Sequence, residues 1–126
     1  ASNLERIADH AHRIAEIVSQ RSHPLPDDLK DEVSRMDSLL CGLLDDSISF
    51  LLQTNSNKAN ELIDRIREIQ SHAVWIAKSY DSKDKSEMLV RLVLASSLER
   101  MLDYIMNISE LTINLSHAAN STEKAG

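Results

Sequence analysis

Leu98-Glu99-Arg100-Met101-Leu102-Asp103, near the end of the chain, repeats Leu4-Glu5-Arg6-Ile7-Ala8-Asp9 near its start, and the likeness continues through Ile108 and Glu110 against Ile14 and Glu16. Each copy sets a Glu and an Asp four residues apart, a spacing that stacks two carboxylates on one face of a helix. A chain that carries the same helical segment at both ends consists of two related pieces joined by intervening helices. The repeat therefore constrains the fold before any chemistry is considered.

Outward from the first copy, Ser2-x-x-Glu5 is a capping-box pattern, which places the start of helix one at Ser2 and lets it run to about Gln20. The segment Arg21-Ser22-His23-Pro24-Leu25-Pro26 breaks it, because two prolines remove amide donors and push the preceding residues out of helical geometry. Asp27 or Asp28 restarts the helix as a cap. Helix two carries an apolar seam at Leu29, Val33, Met36, Leu40, Leu43, Ser47 and Phe50, in alternating steps of three and four, and is expected to end near Thr54. The polar run Thr54-Asn55-Ser56-Asn57 makes the next turn. Helix three repeats the seam at Ala59, Leu62, Ile66, Ile69, Ala73, Ile76 and Tyr80. After a second turn at Asp81-Ser82-Lys83-Asp84, helix four repeats it at Leu94, Leu98, Met101, Ile105, Ile108, Thr112 and Leu115. Short connections favour antiparallel neighbours, so the expected fold is all-α: one antiparallel bundle of about four helices over residues 1–118, with residues 119–126 as a frayed tail. Helix one lacks the apolar lead-in that Met88 to Ser97 gives helix four, which suggests a fragment of a longer protein.

Composition narrows the function. The 126 residues include two glycines and two prolines, too few for a turn-rich fold, and suit one domain. A net charge of −6 opposes nucleic acid and anionic lipid, both of which need a basic surface. The single cysteine, Cys41, cannot form an internal disulfide; in the run Leu39-Leu40-Cys41-Gly42-Leu43-Leu44 it is expected to be a buried structural thiol in a reduced, cytoplasmic setting. The apolar stretch Met88 to Leu98 contains Arg91 and is too short to cross a bilayer, and no signal peptide is present.

With Leu4, Ile7, Ala11, Ile14 and Val18 inward, Glu5, Asp9, His12 and Glu16 form a stripe on another face of helix one. The matching stripe on helix four is Glu99, Asp103, Met106 and Glu110, with Asn107 beside it. Carboxylates suit Mg, Mn, Ca or Fe, and His12 widens the range to Zn or Ni. The alternative is a solvated face. Glu and Asp at i,i+4 repel by roughly 0.2–0.5 kcal/mol, and nearby Arg6, Arg13 and Arg100 offer an offset without metal. No glycine-rich phosphate loop, activated Ser or Cys, or Glu-x-x-His signature points to an enzyme. The histidines, His10, His12, His23, His72 and His117, are scattered, and each is read first as a surface or packing residue; Trp75 is read as core or interface packing.

At the repeated residues the sequence resembles the PhoU family of phosphate-uptake regulators, whose signature reads approximately Leu-Glu-Arg-Ile-Gly-Asp-His-Ala-x-Asn-Ile-Ala-Glu. The first copy, LERIADHAHRIAE, follows it closely, and the second, LERMLDYIMNISE, keeps Leu98, Glu99, Arg100, Asp103, Asn107, Ile108 and Glu110. Ala8 and Leu102 replace the usual glycine, Arg13 replaces the usual asparagine, and Met106 stands where the first copy has His12. The likeness extends from about Leu4 to Leu115 and corresponds to the second half of such a protein, whose two three-helix bundles each carry the motif. It implies metal on Glu5, Asp9, Glu99 and Asp103, with Glu61 and Asp64 in the places of further acidic residues on the penultimate helix; His12 is a further candidate ligand from its place in the stripe. It further implies a regulatory adaptor rather than an enzyme: a domain in the control of phosphate or other ion uptake that binds Fe, Zn, Ni, Mn or Mg and docks to a transporter ATPase, a sensor kinase or a fused effector domain. The competing expectation is a purely structural dimerisation bundle with no metal. A homodimer is expected from leftover apolar positions, Ile63, Leu102 and Leu111.

Overall fold

Ser2 opens the first helix as expected: its hydroxyl accepts from the Glu5 amide at 3.2 Å and its carbonyl from the Arg6 amide at 3.3 Å. The structure, a computed structural model, describes residues 2–19, 27–79 and 85–125. They form α1 (Asn3–Ser19), α2 (Asp27–Gln53), α3 (Ser56–Ser79) and α4 (Lys85–Ala125). The proline-containing break and the 81–84 turn lie outside these residues, as do His23 and Tyr80, and the side chains of Val18, His72, Ala73, Trp75 and Ile76 are likewise not described.

The α2–α3 connection is tighter than the four-residue turn expected from sequence. The Asn55 amide donates to the Phe50 carbonyl at 3.0 Å and the Thr54 amide to the Leu51 carbonyl at 3.1 Å, the paired bonds of a Schellman cap. Asn55 Oδ1 then accepts from the Lys58 amide at 3.1 Å, so one residue ends α2 and the next caps α3. The cap puts Thr54 at φ 51°, a left-handed conformation that a β-branched residue adopts at a cost. Thr54→Gly relieves about 1–2 kcal/mol of that strain and gives back about 0.4–1 kcal/mol through a more flexible unfolded chain. A net gain of about 0.5–1 kcal/mol is expected in urea denaturation; a loss would mean that the threonine side chain contributes more than its backbone costs.

The bundle is organised around α4. Among the described residues it packs against each of the other helices, α2 also packs on α3, and the α1 backbone approaches α4 alone. Arg6 lies over the Tyr104 ring while Ile14, eight residues later, packs in the cluster containing Leu94, so α1 and α4 run antiparallel. The α3–α4 pair is antiparallel too. Gln70 of α3 hydrogen-bonds Asp103 of α4, and a parallel arrangement would put Ser79 and Lys85 about 40 Å apart along the axis, beyond the reach of six peptide links at about 3.6 Å each.

The core joins Ile7, Leu40, Leu43, Leu62, Ile66, Met101, Leu102, Ile105 and Ile108. The seams expected on α2, α3 and α4 supply most of it, with four differences. Leu102 and Ile63, expected as leftover apolar positions, are buried within the chain; of the three, Leu111 alone is exposed. Leu115, expected on the seam of α4, is exposed. On α1, Leu4 and Ala11 are exposed although the periodicity points both inward, because the helix has one neighbouring backbone rather than two or three. Cys41 is exposed rather than buried: with Leu40 and Leu43 turned inward, the residue after Leu40 faces out. Helix α4 continues through Ala125, and His117 to Asn120 are all exposed.

Four small polar residues also sit inside. Ser47, Ser97, Ser109 and Thr112 are buried. The hydroxyls of Ser109 and Thr112 donate to the carbonyls of Ile105 and Ile108 one turn back, and Ser47 donates to Leu44, so each of these three is satisfied by its own helix.

Candidate functional site

The acidic stripe of α1 faces solvent along its length: Glu5, Asp9, His12 and Glu16 are all exposed. His12 Nε2 lies 3.1 Å from Glu16 Oε1, one turn further on. With both side chains more than half exposed, this pair contributes little to stability, yet it directs the imidazole toward Glu16 rather than back to Asp9. On α4, Glu99 is half-buried and Asp103 exposed, and Asp103 Oδ1 accepts from Gln70 Nε2 at 2.6 Å. That contact ties the second motif copy to α3.

It also fixes where the penultimate-helix acids lie. Asp64 and Glu61 precede Gln70 by six and nine residues, which at 1.5 Å per residue is about 9 and 14 Å along α3. In an antiparallel pair they sit level with the Ser109–Thr112 turn of α4 rather than with Asp103. Both are exposed, and Glu61 Oε2 pairs with Lys58 Nζ at 3.6 Å. Among the described residues no three His, Cys, Asp or Glu side chains gather as a metal site. Each carboxylate pair thus offers two ligands on an open face, and further ligands must come from water, a side-chain movement or another protein surface.

Among the described residues, Arg6, Arg13 and Arg100 form no ion pair with the stripe carboxylates. Arg6 lies over the Tyr104 ring, 5.9 Å from its centroid, and His10 packs against the same ring at 5.9 Å. This Arg6–Tyr104–His10 stack clips the first motif copy to the second through a cation–π contact worth about 0.5–1 kcal/mol at an exposed site. Burial holds the His10 imidazole below its ordinary range, and Arg13, Arg100 and Arg6 push in the same direction against Asp9. Arg13 and Arg100 line a hollow between α1 and α4, and neither makes an ion pair with a carboxylate among the described residues. Neither Gln70 as the Asp103 partner nor the Tyr104 stack is legible from sequence, since both depend on cross-helix register.

The family model described as PhoU domain matches residues 33–112. The match runs from within α2 to Thr112 of α4 and includes Glu99 and Asp103, while the first motif copy lies before it. Over 120 residues the chain is 26% identical to a Clostridium acetobutylicum protein named phosphate-specific transport system accessory protein PhoU homolog, an alignment covering 90% of this chain and 55% of that one. The chain spans about half the length of the curated relative it matches. No solved structure matches it.

Proposed function

The chain belongs to the PhoU domain family, and from that premise we propose that it is a regulatory, non-catalytic module in the control of phosphate or other ion uptake, which binds metal on its acidic motif faces and docks to a protein partner. The partner is a transporter ATPase, a sensor kinase or a fused effector domain in the cytoplasm. Family membership supports the link to phosphate transport regulation. Among the described residues no helix is long and apolar enough to cross a membrane.

The observation that carries metal binding is the placement of Glu99 and Asp103. They sit one turn apart on α4, inside the family match, with Asp103 exposed and steered toward α3 by Gln70. Glu5 and Asp9 repeat the spacing on a solvent-facing side of α1. Two carboxylates and water suit Fe, Mn or Mg, and His12 would admit Zn or Ni if it left Glu16. Glu61 and Asp64 would join only through an extended cluster, given their offset along α3. Homodimerisation would draw on the exposed leucines of α4, Leu111 and Leu115.

The absence of a gathered ligand trio among the described residues favours a second function, a structural dimerisation bundle without metal. Elemental analysis of protein purified without chelator separates the two. Stoichiometric metal in the wild type, lost in a folded Asp9→Ala, Asp103→Ala variant, is the expected result. If neither sample holds metal after incubation with Fe, Zn, Ni, Mn or Mg, the protein works through protein contacts alone.

A further inference from the structure

The hollow between α1 and α4 has a volume of about 380 Å³, and its polar lining is His10, Arg13, Ser96, Ser97 and Arg100. The lining contains no carboxylate, although the chain holds 20 acidic and 14 basic residues. Arg13 and Arg100 reach it from two packed helices and are engaged in no ion pair among the described residues. Two like charges converging on one concavity repel unless an anion lies between them. His10 Nδ1 is shielded from solvent and has no hydrogen-bond partner among the described residues, and Ser96 and Ser97 add hydroxyl donors.

We propose that this hollow is a binding site for a phosphoryl oxyanion, either free phosphate or a small phosphate monoester, clamped between the guanidinium groups of Arg13 and Arg100. Planar guanidinium forks match the oxygens of a tetrahedral phosphoryl group in pairs, and hydroxyl and imidazole donors complete such a shell. Leu92 and Val93 form an apolar wall on one side. The volume falls at the small end of the range for small-molecule sites, about 300–1,000 Å³, so there is room for an organic group beyond the phosphoryl. Arg13 stands where the resembled signature has asparagine, so the clamp is a feature of this chain. None of these residues is among the carboxylates proposed to hold metal, so either proposal can fail without the other.

Isothermal titration of the protein in EDTA with inorganic phosphate, and separately with AMP, tests the site while the carboxylate stripes have no metal to respond. Saturable binding that weakens at least about tenfold in Arg13→Gln, Arg100→Gln and persists in Arg35→Gln is expected. Arg35 pairs with Glu32 on α2, away from the hollow. Equal affinity for the two probes would identify the phosphoryl group as the recognised element, and tighter AMP binding would assign the apolar wall to the organic part. A second measurement on the wild-type protein tracks the Arg13 and Arg100 side-chain NMR signals, which should shift with phosphate. The proposal is overturned if neither probe binds up to about 10 mM, if the double variant, folded by circular dichroism, binds as the wild type does, or if those signals stay still.

Discussion

Leu102→Ala is expected to destabilise the protein by about 3–4 kcal/mol, whereas Ala8→Leu, at the equivalent place in the first motif copy, should change stability by no more than about 0.5 kcal/mol. Leu102 is fully buried and belongs to the central cluster with Leu43, Ile66 and Ile105. Truncation removes its transfer free energy and leaves a cavity among helices that can only partly collapse. Against a total stability of about 5–15 kcal/mol for a domain of this kind, such a loss should lower the denaturation midpoint severely. Ala8 is exposed on a helix whose backbone has one close neighbour, so an added leucine gains and loses little. Urea denaturation of both variants checks the pair. Equal effects would mean that the two copies occupy equivalent environments, which is incompatible with α4 at the centre and α1 at the side.

That contrast explains which parts of the fold are legible in the sequence. The three-four seams of α2 and α3 can be read because Leu40, Leu43, Leu62 and Ile66 fall on the buried faces, although α3 buries Ile63 beside its seam as well. Helix α4 has three neighbours and buries a wider arc, which takes in Leu102 and the buried polar residues Ser97 and Ser109. A period of 3.6 residues gives the direction of a buried face but not its width, which the number of packing partners sets. Apolar runs mislead in the opposite sense: Cys41 shares a run with four leucines and still faces solvent, because a helix turns by about 100° at each residue. For the candidate site, the sequence locates both carboxylate pairs on exposed or half-exposed faces. It does not provide the register between helices, which puts Gln70 opposite Asp103 and brings Arg13 and Arg100 to one hollow.

Arg91 provides the second large effect. In the sequence it is the charge that interrupts an apolar stretch; in the bundle it is buried, with its side chain 6% exposed, and Nη2 donates to Asp28 Oδ2 at 3.4 Å. It shares the lining of a small void between α2 and α4 with Leu29, Val33, Met36 and Leu94, so its methylene stem packs as a hydrophobe while its head reaches the start of α2. Arg91→Glu is expected to cost about 3–5 kcal/mol, because it leaves a carboxylate in an apolar setting beside Asp28 and Glu32. Arg91→Met preserves the stem and deletes the charge; since Asp28 is 66% exposed and returns to water, this variant should be less destabilising than Arg91→Glu. Asp28→Asn should likewise cost at most about 1 kcal/mol. If Met proved as damaging as Glu in urea denaturation, the guanidinium would have to hold α2 to α4 through its hydrogen bonds. A harmless Glu would show that this side chain escapes to solvent. A long cationic side chain whose stem packs as a hydrophobe gives the expected order, with Met closer to the wild type and Glu far below it.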